Sequence, residues 1–350
     1  MIHHPAAVAV WLRPLLFSLL FALRAVAADN ASAADSAAQP LFPLWPEQRI
    51  SLNGQEVQRI YREVIAPQNK KMPPRQGNPA RCETGSMDQS WLKEQERLLN
   101  SYRQLAGSTL TTFTDELNAQ AAQAALITAA RGWPEHHPDP KAACYTPAGA
   151  KATAASNLSN GGNQTSMDDW IDDNGVYGAG HRLLSLHPGN TTLGLGLVGS
   201  GMALHRPVCK GTATESHIAV WPPVGYVPMQ FGFGYPSFTF TLTPHLGPNN
   251  TLSKLHLAQP RVRINGWPRP AVAYPKLVDG SYVFEVHYGD RKLLKQQLPE
   301  KGVVLDVTIG PVLVNGTKAE IRYRTVFFDP AQPQLPVHAM PAPGFYPVSE

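Results

Sequence analysis

Apolar and polar positions divide the chain into a helical first half and a strand-rich second half. Val57, Ile60, Tyr61, Val64 and Ile65 share one helical face and predict a short helix over 51–65. Trp91, Leu92, Leu98, Leu99, Tyr102 and Leu105 form a longer stripe, predicting a helix over 88–106 that Gly107 stops. A second helix is expected from Asp115 to Arg131, capped by Thr114, with Asp115 and Glu116 at its positive end and Gly132 after it. Its alanines favour close packing. Shorter helices are expected over 147–155 and 166–173. After His181 the period changes. Leu193 to Val198 and His217 to Trp221 read as strands. Ser237 to Thr243 alternates strictly, the pattern of a strand with one face buried and one in water. Further strands over 261–265, 282–288, 303–309 and 319–328, separated by Gly, Pro and Asn turns, predict a β-sandwich. The Pro-rich tail, 331–350, reads as an extended strap or a disordered end.

Composition narrows the class. The chain has 350 residues, 43% hydrophobic and 16% charged, too few charges for a long coiled coil. Its 33 prolines and 28 glycines argue against a helical bundle. A net charge of +4, with no basic stripe interleaved with aromatics, gives no reason to expect a nucleic-acid partner. Arg13, the apolar run Leu15 to Leu23 and Ala25-Val26-Ala27 read as a secretory signal over 1–27. No later stretch approaches the length of a membrane span, so none is expected in the mature chain. An exported chain meets an oxidising compartment, so Cys82, Cys144 and Cys209 are expected to form one disulfide and leave one odd thiol. The sequence alone leaves three pairings open.

Several short segments carry a resemblance. Asn100-Ser-Tyr-Arg-Gln-Leu-Ala-Gly107 opens a block that continues through Leu117 to Leu126, Glu135-His-His-Pro138, Cys144-Tyr-Thr-Pro-Ala-Gly149 and Ser156-Asn-Leu158. Gly180-His-Arg-Leu-Leu-Ser-Leu-His-Pro188 and Leu193-Gly-Leu-Gly196 complete it, and Trp221-Pro-Pro-Val-Gly-Tyr-Val-Pro228 follows. In order and spacing the block resembles the bacterial branch of the CAP superfamily (cysteine-rich secretory, antigen 5 and pathogenesis-related proteins; SCP-like domains). Composition and strand spacing set a leader over 28–80 and a C-terminal, Ig-like β-sandwich over 236–330, giving an α+β chain. Between them, over 81–235, the resemblance implies an α-β-α sandwich. It also implies a Cys82–Cys144 disulfide, and a cleft where two histidines sit with acidic residues and often hold a divalent metal.

Carried over residue by residue, His181 matches the second cleft histidine and His136 the first, with His137 as its rival. Asp172 or Asp173 falls at an acidic position. The family's other acid lies in a G-E-N motif, and here that stretch reads Ala155-Ser156-Asn157. Ser156 cannot serve as a carboxylate base. His187, His205 and His217 read as structural or exposed. Two imidazoles and a carboxylate suit zinc with open coordination positions. Gly194 to Gly199 fits G-x-G-x-x-G, but its glycines lie inside a strand rather than opening a helix, which excludes a dinucleotide fingerprint. The expected function is an exported binding protein, periplasmic or secreted, whose cleft takes a divalent cation or small ligand and is not catalytic. Two alternatives stand beside it. One is a metal-assisted hydrolase of peptides or esters. The other is an adhesion protein that meets an envelope component through the β-sandwich.

Overall fold

The computed structural model describes residues 49–68, 74, 76–161, 166–207, 215–232 and 236–348. The expected signal, the leader up to residue 48 and Cys209 lie outside the described residues. Helix α1 (Gly54–Ile60) is capped by Asn53, which accepts a hydrogen bond from the Glu56 amide, and runs on through a wide turn over Tyr61–Ile65. Val57, Ile60, Val64 and Ile65 are buried, as the stripe requires. Helix α2 (Gln89–Ala106) starts where Asp88 accepts from the Trp91 amide and stops at Gly107, in the left-handed region at φ 75°. Helix α3 (Asp115–Arg131) is capped by Thr114 and stopped by Gly132. Shorter helices follow: α4 (Pro147–Ala154), α5 (Ser166–Asp172) and α6 (Gly180–Leu186).

Strands β1 (Thr112–Phe113), β2 (Ser156–Asn160), β3 (Thr192–Val198) and β4 (Gly201–His205) form a sheet in the order β1-β3-β4-β2. Strand β1 runs parallel to β3 and the other pairs are antiparallel. The two faces differ in kind. Leu193, Leu195, Leu197, Met202 and Leu204 share a core with Leu98, Leu99 and Tyr102 of α2. Val198, Ala203 and Leu158 pack with the alanines of α3. Gly194, Gly196 and Gly201 bring the sheet against the α3 backbone, where a Cβ on Gly196 would stand 2.3 Å from the carbonyl carbon of Ala121. The glycine pattern that imitates a dinucleotide loop is thus a packing device.

The second half is a two-sheet sandwich. It comprises β5 (His217–Trp221), β6 (Gly225–Pro228), β7 (Ser237–His245), β8 (Leu252–Ser253), β9 (Gln259–Ile264) and β10 (Trp267–Arg269). It continues with β11 (Ala271–Ala273), β12 (Tyr282–His287), β13 (Val303–Val314), β14 (Thr317–Phe328) and β15 (Gly344–Pro347). One sheet has the order β10-β9-β13-β14-β15, with β6 on β14 and β8 on β13; the other is β11-β12-β7-β5. Helix α7 (Arg291–Lys301), capped by Asp290, joins β12 to β13; the hydrophobic pattern gave no hint of it, and Pro299 lies inside it.

Two sequence expectations change here, and one open alternative is decided. Strands β5 and β6, placed with the first domain on sequence, hydrogen-bond to β7 and β14, so the Trp221 to Pro228 segment is built into the sandwich. Strand β7 is buried on both faces. Thr239, Thr241 and Thr243 are each under 5% exposed because their face meets the first half of the chain. Thr241 pairs with Trp221 in register, and the Trp221 ring lies 5.9 Å from that of Tyr102 on α2. The tail is a strap. β15 pairs antiparallel with β14 and buries Phe345 and Tyr346, while the Pro330 carbonyl accepts from Gln58 and Arg62 at the far end of the chain. One hydrophobic core consequently runs from α1 and α2 through both sandwich sheets to Phe345. No helix among the described residues is long and apolar enough to cross a membrane.

Candidate functional site

A cleft of about 450 Å³ opens where α4, β2 and α6 meet the sandwich loop between β11 and β12. His136, Ser156, Asn157 and His181 line it from the first half, and Val278 and Asp279 from the second. The sequence-predicted residues are thus partly brought together, each by an identifiable local device.

His136 lies in the loop between α3 and α4. Its Nδ1 is 2.9 Å from the Thr153 carbonyl, and Thr153 Oγ1 donates back to the His136 carbonyl at 3.1 Å. The Cys82–Cys144 disulfide pins the same loop to the segment before α2, with the two Cα atoms 5.1 Å apart. His137, the rival, is exposed and does not line the cleft.

His181 stands in the first turn of α6. Asp173, just past the end of α5, adopts φ 45°, a left-handed geometry that Asp and Asn tolerate. Its carboxylate then accepts from His181 Nδ1 at 2.8 Å and from the Arg182 amide at 3.0 Å, and its side chain is fully buried. On the other side Asn157 Nδ2 donates to the His181 carbonyl at 2.8 Å and to Ser185 Oγ at 3.0 Å. Both imidazoles therefore have Nδ1 tied to the fold, leaving Nε2 as the ring nitrogen available to the cleft.

Asp172, the other candidate acid, is not a lining residue. Burial pushes its carboxyl up to about 6, against the attraction of the Arg182 guanidinium. Ser156 lines the cleft, but its Oγ is held between the Ala152 carbonyl at 2.7 Å and His205 Nδ1 at 3.0 Å. His205 in turn meets Gln120 at 2.9 Å, and burial lowers its pKa. At this position the chain has a polar relay that runs from Ser156 through His205 to Gln120 and on to the exposed Glu116 carboxylate.

Two fully buried arginines hold this region. Arg103 donates to the carbonyls of Ser185, His187 and Asn190, fixing the end of α6, and burial lowers its pKa to about 9. Arg182, next to His181, donates to the carbonyls of Ile171, Asp172 and Thr239 and stacks 5.0 Å above the Phe238 ring. Burial brings its pKa down to about 10. Thr239 and Phe238 belong to the sandwich, so Arg182 fastens the histidine's helix to the second half of the chain.

Sequence reasoning missed the far wall. Arg206 Nη1 and Asp279 Oδ2 pair at 2.9 Å across the junction, and Val176, Leu183, Leu184 and Val278 add apolar surface. Asp279-Gly280 is readable as a turn, but nothing local says that this turn folds back onto His181. Among the described residues no group of three His, Cys, Asp or Glu side chains is placed to hold a metal ion.

An α-β-α sandwich with two tethered histidines facing a cleft, joined to a β-sandwich, is the class of protein that this geometry defines. Residues 96–205 match the model of the cysteine-rich secretory protein family (CAP), and the chain carries a CAP domain over that stretch. No curated protein and no solved structure shows significant similarity to the chain. The disulfide fits the export typical of CAP domains.

Proposed function

We propose that the protein is an exported binding module, periplasmic or secreted. Its CAP cleft holds a divalent cation or small ligand on Nε2 of His136 and His181. The observation that carries this reading is the matched tethering of the two rings. Each Nδ1 meets an oxygen of the fold, at 2.9 Å in His136 and 2.8 Å in His181. With Nδ1–H donated to a carbonyl or carboxylate, Nε2 keeps its lone pair, the arrangement that metal-ligating histidines use. Zinc suits two neutral imidazoles, with water or a ligand completing four positions.

Binding is favoured over catalysis because the carboxylates are already engaged. Asp173 serves His181 and the Arg182 amide, and Asp279 pairs with Arg206. A second reading has one observation in its favour. The Asp173–His181 pair is the orienting half of a general-base dyad, so a hydrolase acting through water, metal-assisted or not, is the alternative. Its nucleophile would have to be water, because Ser156 is directed to Ala152 and His205 rather than to His181.

The test is calorimetric zinc titration of the mature protein beside His136→Ala and His181→Ala. Saturable binding abolished in both variants is the expected result. No binding by the folded wild-type protein would refute the cation reading. Turnover of a peptide and ester panel, lost in His181→Ala, would favour the hydrolase.

A further inference from the structure

The wall contributed by the sandwich carries chemistry of its own. Arg206 and Asp279 meet at 2.9 Å on the cleft surface, and their side chains are 30% and 36% exposed. They present a fork of N–H donors beside a carboxylate acceptor. That combination opposes a net-charged ligand. An anion meets Asp279 and a cation meets Arg206. It complements a pair of neighbouring hydroxyls, each of which can donate to the carboxylate while accepting from the guanidinium.

A second, independent feature lies at the rim. Tyr177 is 76% exposed, unusual for so large a ring, and it meets Tyr274 of the sandwich edge-on, with centroids 4.9 Å apart at 65°. Neither tyrosine lines the cleft itself, but each lies close in sequence to a residue that does. Val176 precedes Tyr177, and Val278 lies four residues beyond Tyr274. The edge contact holds the Tyr177 ring in place while leaving it open to solvent. A rigid, exposed aromatic face costs little conformational entropy when it receives a flat apolar surface. The C–H face of a pyranose ring is such a surface, and its hydroxyls project sideways within reach of a donor–acceptor pair.

Resting on the reading of this cleft as a ligand site, we propose that its ligand class is a neutral saccharide. One sugar ring stacks on Tyr177 and its vicinal hydroxyls are held by Arg206 and Asp279. The volume of about 450 Å³ is in the range of small-ligand pockets. The sandwich is then part of the binding site, because Asp279 and Tyr274 come from it and Arg206 and Tyr177 from the CAP side.

The test titrates the full mature chain with chitotriose, cellotriose and maltotriose, and with adenosine as an aromatic-stacking control. Wild type, Tyr177→Ala and Asp279→Asn are compared by calorimetry, with thermal unfolding run on each to show that it is folded. Saturable binding of at least one trisaccharide, weakened tenfold or more in both variants, is expected. Binding of no trisaccharide, binding unchanged in the variants, or binding of adenosine in their place would each overturn the assignment. Zinc binding by a wild-type chain that ignores all three sugars would sink this inference while leaving the histidine reading intact. Sugar binding without zinc binding would do the reverse.

Discussion

Asp173→Asn is the sharpest single test of the histidine geometry. The substitution is nearly isosteric, and Asn adopts the left-handed backbone at φ 45° as readily as Asp does. The wild-type carboxylate accepts two hydrogen bonds, from His181 Nδ1 at 2.8 Å and from the Arg182 amide at 3.0 Å. An amide has one acceptor oxygen. If that oxygen keeps the Arg182 amide, the NH₂ group faces His181 Nδ1, which must then accept. The ring proton moves to Nε2, and the lone pair aimed at the cleft is lost. Changing such a supporting partner costs about 10–100-fold in metal affinity, equivalent to about 1.4–2.8 kcal/mol. Zinc calorimetry reads the affinity, and ¹⁵N-correlated NMR of the imidazoles reads the tautomer directly. The wild-type protein should carry its His181 proton on Nδ1 and the variant on Nε2. A variant that keeps the proton on Nδ1 would refute the reasoning, and the tautomer decides this even if zinc does not bind.

Other outcomes follow from the same structure. Gly196→Ala should lower the melting temperature by several degrees, since its Cβ would stand 2.3 Å from the α3 backbone and overpacking of this kind costs about 1–3 kcal/mol; an unchanged or raised melting temperature would show that α3 can retreat freely. Replacing Cys82 and Cys144 by Ala opens a link spanning 62 residues and should cost about 4 kcal/mol on the chain-entropy account, read by denaturant unfolding. The same variant should also free the His136 loop, visible as faster amide exchange there. Burial raises the Asp172 carboxyl from 3.8 to about 6 in the folded state. The folded state therefore binds more protons than the unfolded one, and stability falls as pH rises through about 4 to 6. Asp172→Asn should remove that slope and be the more stable protein above pH 6; parallel stability–pH curves for the two proteins would contradict the assignment.

Much of the first half was legible because its signals are local. Thr114, Gly107 and Gly132 mark ends of α2 and α3, and the structure uses each as cap or stop. The family resemblance pointed to the Cys82–Cys144 pairing. It also pointed to His136 and His181, which share a cleft. What escaped was non-local. The alternation of Ser237 to Thr243 promised a wet face, but periodicity reports only that two faces differ, not what covers the polar one. Threonines, small and able to bond to neighbours such as Ser281, fit under a second layer. The family resemblance ran through Trp221 to Pro228 and so put β5 with the first domain, whereas hydrogen bonding to β7 decides its place. The Asp279 turn illustrates the same limit. Its composition announces a bend, and only the packed sandwich determines that the bend closes a cleft.

The continuous core also bears on how the molecule can be divided. The chain enters the sandwich with β5 and β6, ahead of the boundary expected at 235/236, and the strap returns to α1. A fragment ending at residue 235 would keep β5 and β6 without the strands that complete their sheets, and would expose Trp221 and Val227, now almost wholly buried. A fragment beginning there would leave the β7 threonines under open water, and would strip β5 from β7 and β6 from β14. Neither half is a transplantable cassette. Shuffling, fusion or display of this protein calls for cut points outside the span from α1 to β15.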